Sequence, residues 1–201
     1  MKFLKVTEAW NNKVFGKVPT HNARQINKIL EDGKSHAETK SSNFPLSERI
    51  QILKKFIGLI IKNRDFLAKQ ASKEGGKPLL DSIVEINRGT DGVESCIENL
   101  KTSSGTVIPM NIDKASLNRI AFTQKEPIGL VLAISAFNHP FNLIIHQIIP
   151  AIAVGCPVIV KPAEDTPLSC LSIIKMLNQS GLPKKWCQFI MPESLELATK
   201  L

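Results

Sequence analysis

Two groups of polar residues follow short apolar runs in the second half of the chain, and their side chains suit ligand binding. The first run, 129–135, leads towards Asn138, and the second, 157–160, leads into Lys161 and Glu164. A lysine ammonium can reach hydroxyl or phosphate oxygens of a nucleotide, and a nearby carboxylate can bind both hydroxyls of a ribose. The sequence alone leaves open the alternative that Lys161 and Glu164 are ordinary loop charges.

The side-chain amide of Asn138 has two possible tasks. It could donate a hydrogen bond to a developing oxyanion. Its spacing from Phe141 instead favours an Asx turn or the N-cap of a helix that begins there. His139 and His146 are assigned no catalytic role, because a histidine beside a proline or on a mostly apolar helix is more often a packed or surface residue.

Cysteine spacing argues against both a metal site and a disulfide framework. No CxxC pair is present, and no cysteine has ligand spacing to any of the four histidines. A reducing, cytoplasmic location is therefore expected. Burial in apolar strands or helices predicts inert thiols at Cys156, Cys170 and Cys187.

Composition narrows the class of protein. Of 201 residues, 43% are hydrophobic and 22% are charged, which is typical of globular proteins. The net charge of +8 is spread without a dense basic block, so no nucleic-acid partner is predicted. The first ten residues lack the apolar core of a signal peptide. The longest apolar tract, 143–160, is interrupted by polar residues and prolines, which argues against a membrane span.

The polar groups are positioned by alternating strands and helices. This rhythm predicts right-handed βαβ crossovers in a doubly wound α/β fold with a mostly parallel sheet. Ligands of such sheets bind beyond the carboxyl ends of the strands. Three strands make an incomplete sheet, with an open edge expected at the third strand. The predicted strands and helices are 129–135, 141–154, 157–160, 167–180, 187–191 and 195–201, the last capped by Ser194.

The first half is predicted to be mainly helical. An edge strand or a hairpin over 1–20 is followed by a helix over 21–40. A loop at 41–45 then leads to a long amphipathic helix capped by Ser47. Gly75-Gly76-Lys77-Pro78 ends the helices that follow. One more long helix tolerates Gly89 and Gly92 at a cost in helix propensity, and two extended runs within 106–127 form a ribbon that needs a partner to cover it.

Several motifs together resemble the aldehyde dehydrogenase superfamily. The resemblance runs through Glu126-Pro-Ile-Gly129, Phe137-Asn138-His-Pro140 and Lys161-Pro-Ala-Glu164. Upstream, Glu74-Gly-Gly76-Lys77-Pro78 is similar to the family's E-x-G-K-P turn, and downstream Ser180-Gly-Leu-Pro183 is similar to its A-G-x-P turn. The resemblance covers essentially the whole chain, which corresponds to about the first two fifths of a family member.

The resemblance implies roles for individual residues. Asn138 matches the asparagine that stabilises the thiohemiacetal oxyanion, and Lys161 and Glu164 match residues that bind the adenosine ribose. The resemblance implies NAD as cofactor, with NADP disfavoured because a carboxylate at Glu164 would repel a 2′-phosphate. The usual phosphate-binding fingerprints GxGxxG and GxxxxGK[ST] are absent, so the cofactor needs another binding mode. Further positions along the cofactor cleft are Ile134, Ser135, Phe137 and Ala163.

The resemblance also implies a division of the chain and a reaction. Residues 1–105 form the helical part of the cofactor-binding domain, 106–127 an oligomerisation arm, and 128–201 the first βαβαβ of that Rossmann-like domain. Family members oxidise a small aldehyde to a carboxylic acid as homo-oligomers. The nucleophilic cysteine and the general-base glutamate belong to the catalytic part beyond Leu201, so the 201-residue chain alone is predicted to be inactive. The alternative is a non-catalytic nucleotide-binding or assembly module.

Overall fold

The computed structural model describes residues 2–38 and 45–201, so the predicted loop at 41–45 lies outside them except for Pro45. The strands are β1 (Phe3–Thr7), β2 (Val14–Pro19), β3 (Val107–Ile108), β4 (Ala121–Phe122), β5 (Val131–Ile134), β6 (Val158–Lys161) and β7 (Cys187–Phe189). The helices are α1 (Ala23–Glu38), α2 (Leu46–Lys62), α3 (Arg64–Gly75), α4 (Leu79–Thr102), α5 (Asn142–Val154), α6 (Pro167–Gln179) and α7 (Leu195–Ala198).

The second half of the chain builds a parallel sheet in the order β5-β6-β7. Val158, Ile159 and Val160 on the central strand are fully buried, as expected for a strand covered on both faces. Helices α5 and α6 connect consecutive strands, so the predicted βαβ alternation is confirmed with boundaries shifted by one or two residues. Helices α2, α3 and α4 share one continuous apolar core with this sheet.

Close packing between α4 and α5 explains two glycines that the helix tolerates. A Cβ atom added at Gly89 would lie 2.8 Å from the ring of Phe141, and one added at Gly92 would lie 3.3 Å from the ring of His146. Both distances are shorter than ordinary contacts. The two glycines therefore trade helix propensity for a close approach between two helices that flank the end of β5.

The N-terminal hairpin is joined to the segment that follows β7. Strands β1 and β2 pair antiparallel, and the residue after them that bridges to the sheet is His21, opposite Pro192. The His21 N–H donates to the Met191 carbonyl over 2.6 Å, and the Met191 N–H donates to His21 Nδ1 over 3.1 Å. Burial lowers the pKa of His21 and so favours the neutral ring, whose Nδ1 can accept. Among the described strands β7 pairs with β6 alone, so the open edge predicted at the third strand is confirmed. Strand β5, on the other side of the sheet, also pairs with β6 alone.

Two local predictions differ from the structure. Helix α2 begins at Leu46 after Pro45, with no side-chain cap, so the prediction of Ser47 as N-cap is wrong; proline fixes the backbone before the first turn instead. Strands β3 and β4 pair over only two residues each, although both predicted runs were longer. Ser194 does cap α7, where its hydroxyl accepts from Leu197 N–H over 3.2 Å.

None of the helices within the described ranges has the length and apolar character needed to cross a membrane.

Candidate functional site

The carboxyl ends of β5 and β6 lie side by side and bring several predicted site residues together. Ile134 pairs directly with Lys161 in the parallel register, and Ser135 N–H donates to the Lys161 carbonyl over 3.0 Å. Ser135 is buried, and its hydroxyl has no hydrogen-bond partner among the described residues. This edge of the sheet therefore holds an unsatisfied polar group at the place where a ligand of such a sheet binds.

A cavity of about 370 Å³ opens beside this edge. Phe137 and Glu164, which follow β5 and β6, both line it, and Thr7 and Asn12 of the N-terminal hairpin form part of the opposite wall. Phe137 is 59% exposed, so a large apolar ring is presented to the solvent at the cavity. Sequence reasoning did not place the hairpin next to Glu164, because the contact is made across most of the chain.

The side chain of Lys161 is available for a ligand. Its ammonium makes one recorded hydrogen bond, 3.3 Å long, to the carbonyl of the next residue, Pro162. Among the described residues it forms no ion pair with Glu164, whose side chain is exposed. Ala163 is half-buried between them, and its carbonyl accepts from Thr166 N–H over 3.4 Å. The charges of Lys161 and Glu164 therefore do not neutralise each other.

The Asn138 side chain is exposed and makes no hydrogen bond with the described residues. It forms neither an Asx turn nor an N-cap, and α5 begins after Phe141 without a side-chain cap from that residue. Its amide donors are therefore free to meet a ligand. The capping task that spacing assigned to Asn138 is performed by Glu85 from α4, whose Oε1 accepts from Phe141 N–H over 2.8 Å and Asn142 N–H over 3.0 Å.

A lysine that sequence reasoning left in a turn reaches into the site. The ammonium of Lys77 contacts the Glu85 carboxylate, the Asn138 carbonyl at 3.3 Å and His139 Nδ1 at 3.3 Å. The Glu85 side chain is completely buried. An acidic residue among the apolar positions of α4 is the sequence signal that could have pointed to this arrangement, because a buried carboxylate needs a charged partner.

The second glutamate of this kind, Glu74, caps α6. Its carboxylate accepts from Leu168 N–H over 2.9 Å, from Ser169 N–H over 2.8 Å and from the Ser169 hydroxyl. Burial raises the pKa of Glu74 to about 7, against the opposing effect of these hydrogen bonds. Negative charge is favourable at a helix N-terminus. Glu74 therefore fixes the start of the helix that follows the loop of Lys161 and Glu164.

The surroundings of His139 disfavour the charged form of its ring. Burial lowers the pKa of His139, and the positive charges of Lys77 and Arg88 lower it further, while Asp81 acts in the opposite direction. The Lys77 ammonium lies 3.3 Å from Nδ1, and the Glu85 carboxylate lies 3.8 Å from the same nitrogen. Because an ammonium only donates, its hydrogen bond to Nδ1 corresponds to the tautomer with the proton on Nε2.

Three of the four thiols have a pKa above the usual value. All four cysteines are free, and three are buried. Burial raises the pKa of Cys187 to about 12 and raises that of Cys170 well above its usual range. Burial also raises the pKa of Cys96 on α4. Within residues 2–38 and 45–201 no group of three His, Cys, Asp or Glu side chains is arranged to hold a metal ion.

Comparison with known proteins places this site in a family. The sequence model of the Aldehyde dehydrogenase family matches residues 2–201. The chain is similar to a 3-sulfolactaldehyde dehydrogenase of Priestia aryabhattai, with 32% identity over 196 residues that cover 95% of this chain and 41% of that protein. This chain belongs to the aldehyde dehydrogenase family, and it spans about two fifths of the length of the curated relatives it matches.

Solved structures agree in fold. Aldehyde dehydrogenase 21 from Physcomitrella patens, in complex with the reaction product succinate, superposes with a TM-score of 0.91 at 32% identity, over 98% of this chain and 41% of that one. Glyceraldehyde-3-phosphate dehydrogenase from Methanocaldococcus jannaschii, complexed with NADP, gives a TM-score of 0.86 at 26% identity, over 94% of this chain and 41% of that one. The family includes enzymes that bind NADP, so membership does not select NAD.

Proposed function

We propose that this chain supplies the dinucleotide-binding edge and the oxyanion-stabilising asparagine of an enzyme that oxidises an aldehyde to a carboxylic acid. The proposal rests on one observation: the polar residues at the carboxyl end of β5 and those at the carboxyl end of β6 lie side by side. Asn138 follows β5 with a side-chain amide that bonds no described residue, while Lys161 ends β6 and Glu164 follows it, and neither charge forms an ion pair with a described residue. Membership in the aldehyde dehydrogenase family gives this arrangement a reaction.

The residues of the chain divide the work between cofactor and substrate. Lys161 and Glu164 would hold the hydroxyl groups of the adenosine ribose, and Ile134, Ser135, Phe137 and Ala163 would line the cleft. The orphaned hydroxyl of Ser135 fits this task, because a buried hydroxyl without a partner is expected to find one in a ligand. The bound nicotinamide would supply the hydride acceptor. Asn138 would donate to the oxyanion that forms on the aldehyde oxygen.

The nucleophile is proposed to come from outside these 201 residues. A thiolate attacks far better than a thiol, and burial raises the pKa of Cys96, Cys170 and Cys187. Cys156 is buried beside the start of β6, at the opposite end of that strand from Lys161. We therefore expect the isolated chain to bind a cofactor without oxidising an aldehyde.

The choice of cofactor is proposed as NAD over NADP. A carboxylate at Glu164 would repel a 2′-phosphate on the ribose that it binds. The preference is open to reversal by other residues, since a relative of the same fold is complexed with NADP. The lysine at the same edge, Lys161, could offset part of the repulsion.

The substrate is proposed to be an aldehyde that carries an anionic group. The relative from Priestia aryabhattai is a 3-sulfolactaldehyde dehydrogenase, and the Physcomitrella patens enzyme is complexed with succinate as product. The names of these two relatives, and not the charge beside Asn138, support the proposal, because Lys77 beside Asn138 is already paired with the Glu85 carboxylate.

Calorimetry with NAD and NADP tests the proposal on the 201-residue chain. The double variant Lys161→Ala, Glu164→Ala should weaken NAD binding at least tenfold. The matched control is Glu48→Ala, Lys54→Ala, which removes one exposed charge of each sign from α2. Equal affinity of the site variant and the unchanged protein would remove the proposed site. Tighter binding of NADP than of NAD would reverse the cofactor preference alone.

A second candidate function is an assembly module that uses the short ribbon of β3 and β4. Val107, Ile112 and Ile120 on this segment are 80%, 78% and 88% exposed. Such a set of exposed apolar side chains is typical of a surface that another polypeptide covers. Sedimentation of the chain with and without Ile120→Lys tests it, and an unchanged monomer in both would remove this candidate without affecting the dinucleotide site.

A further inference from the structure

The Lys77 side chain is held more tightly than its position in a turn would suggest. It is 14% exposed, and its ammonium meets three acceptors from two parts of the chain: the Glu85 carboxylate, the Asn138 carbonyl and His139 Nδ1. An ammonium has three donors, so each donor has one partner. A lysine that only neutralised Glu85 would not need the other two contacts.

The Glu85 carboxylate that Lys77 contacts is itself held in place by α5. Its second oxygen accepts the backbone N–H groups of Phe141 and Asn142, so the carboxylate is tied to the first turn of α5 independently of Lys77. Lys77 in turn connects that carboxylate to the backbone of Asn138 and the ring of His139. The ammonium of Lys77 thus connects Glu85 on α4 to Asn138 and His139, which lie between β5 and α5; we call residues 138–139 the Asn138 corner.

We infer that Lys77 is a positioning residue that fixes the Asn138 corner, so that the free side-chain amide of Asn138 stays aimed at the reacting oxygen of the substrate. The inference rests on the proposed oxyanion role of Asn138. Donors to a developing oxyanion work only when they are held within about 0.5 Å of the productive position. Asn138 has no hydrogen bond of its own side chain to hold it there, so its backbone must be fixed instead.

The unchanged protein offers the first test, by ¹⁵N NMR of the His139 ring in the full 201-residue chain. If Lys77 donates to Nδ1, the neutral ring must be the Nε2–H tautomer with an acceptor at Nδ1. Finding the Nδ1–H tautomer would overturn the inference, because that nitrogen could not accept from an ammonium. This measurement needs no variant and no cofactor.

Three variants provide the second test. Lys77→Met keeps the apolar stem and removes all three donations, whereas Lys77→Arg keeps the charge and the donors. The matched control, Lys73→Met, removes a lysine at the end of α3 whose ion pair with Glu8 measures 3.2 Å. The backbone amide resonances of Asn138 and His139, the side-chain amide resonances of Asn138 and the ring resonances of His139 are compared with those of the rest of the chain.

The expected pattern separates positioning from plain stabilisation. Lys77→Met should shift and broaden the Asn138 and His139 resonances and raise the pKa of His139, because a neighbouring positive charge is lost. Lys77→Arg should keep the resonances and the pKa of His139 close to those of the unchanged protein. Lys73→Met should change neither. A lower melting temperature for Lys77→Met, with Asn138 and His139 unchanged, would overturn the inference. If Lys77→Met does not fold, the tautomer of the unchanged protein and the resonances of Lys77→Arg decide.

The outcome does not depend on the dinucleotide site. Binding of NAD is measured separately by calorimetry on the unchanged protein, so that cofactor binding and the geometry at Asn138 are decided by different measurements. A chain that binds no NAD but shows the Lys77 pattern would contradict the proposed function and leave the geometry of this corner standing. The reverse result would contradict the positioning role alone.

Discussion

Glu74 and Glu85 perform the same task on consecutive helices. Each buried carboxylate accepts two backbone N–H groups from the first turn of a helix that follows a parallel strand, α6 for Glu74 and α5 for Glu85. The two glutamates lie on either side of the turn that contains Lys77. One short stretch of the first half of the chain therefore fixes both loops of the candidate site.

Removal of Glu85 should be costly. Glu85→Ala leaves the Lys77 ammonium and two N–H groups of α5 without their acceptor, so we expect a loss of about 3–5 kcal/mol in the free energy of unfolding. Urea denaturation measures it. The control is Glu98→Ala, which breaks an exposed pair with Lys101 and should change stability by less than about 1 kcal/mol. Equal effects of the two substitutions would contradict the capping role.

Glu74 should make stability depend on pH. Its pKa is about 7 in the folded chain and 4.5 in its usual state, so the native chain holds an extra proton between these values. Stability from this group is complete below pH 4.5 and is lost as the pH rises through 7, by about 3 kcal/mol in all. Glu74→Gln removes the titration. The difference in unfolding free energy between the two proteins should therefore change across pH 4.5–7.

The difference between the two proteins is needed because histidines act in the other direction. Burial lowers the pKa of both His21 and His36, so the unfolded chain binds more protons and their contribution is lost as the pH falls below about 6.5. Both proteins share this contribution, so it cancels. A difference that stays constant from pH 4.5 to 8 would show that the Glu74 carboxylate titrates normally in the fold.

Gly89 should resist substitution even by alanine. The added Cβ would lie 2.8 Å from the Phe141 ring, so Gly89→Ala is expected to destabilise the chain by about 1–3 kcal/mol despite its better helix propensity. Gly58→Ala on α2 is the matched control, because a Cβ there meets nothing within 4 Å. It should stabilise by about 0.5–1 kcal/mol. Thermal unfolding of both variants decides, and stabilisation by both would show that α4 and α5 can separate.

Two buried serines should differ in what their hydroxyls contribute. Ser169→Ala removes a donor to the Glu74 carboxylate and should cost about 1.5–3 kcal/mol. Ser135→Ala removes a hydroxyl that has no recorded partner and should leave stability within about 0.5 kcal/mol, or raise it. Chemical denaturation without cofactor compares them. A large loss for Ser135→Ala would mean that its hydroxyl is satisfied within the fold.

The fold of the second half was predictable because its signals are local. Uninterrupted apolar runs such as 157–160 and the helix stop at Gly181 are local features of the sequence. The family motifs added the prediction that Asn138 lies at the site. The boundaries moved by one or two residues, except that the helix predicted over 195–201 ends at Ala198. Shorter signals were less reliable: the prediction of Ser47 as a cap is wrong because Pro45 already fixes the backbone before the helix.

What the sequence could not supply were contacts between distant segments. Glu85 is one acidic residue on a helix, and nothing in its neighbours reveals that it caps a helix that starts at Asn142. The same holds for Lys77, whose ammonium meets Asn138 across 61 positions of the chain. Spacing gave the capping task to Asn138 itself because local capping is the commoner solution. The roles assigned to Lys161 and Glu164 stay predictions until binding is measured.

The hairpin at the start of the chain has a consequence for synthesis. His21 and Met191, which hold it to the sheet, are 170 positions apart. At about 5–20 residues per second a ribosome needs on the order of ten to thirty seconds to make the second after the first. During that interval β1 and β2 can pair with each other, but the segment around Met191 that holds them to the sheet has not yet been made. The apolar side chains of Val6 and Val18 therefore lack their buried contact with Met191 until that residue has been made.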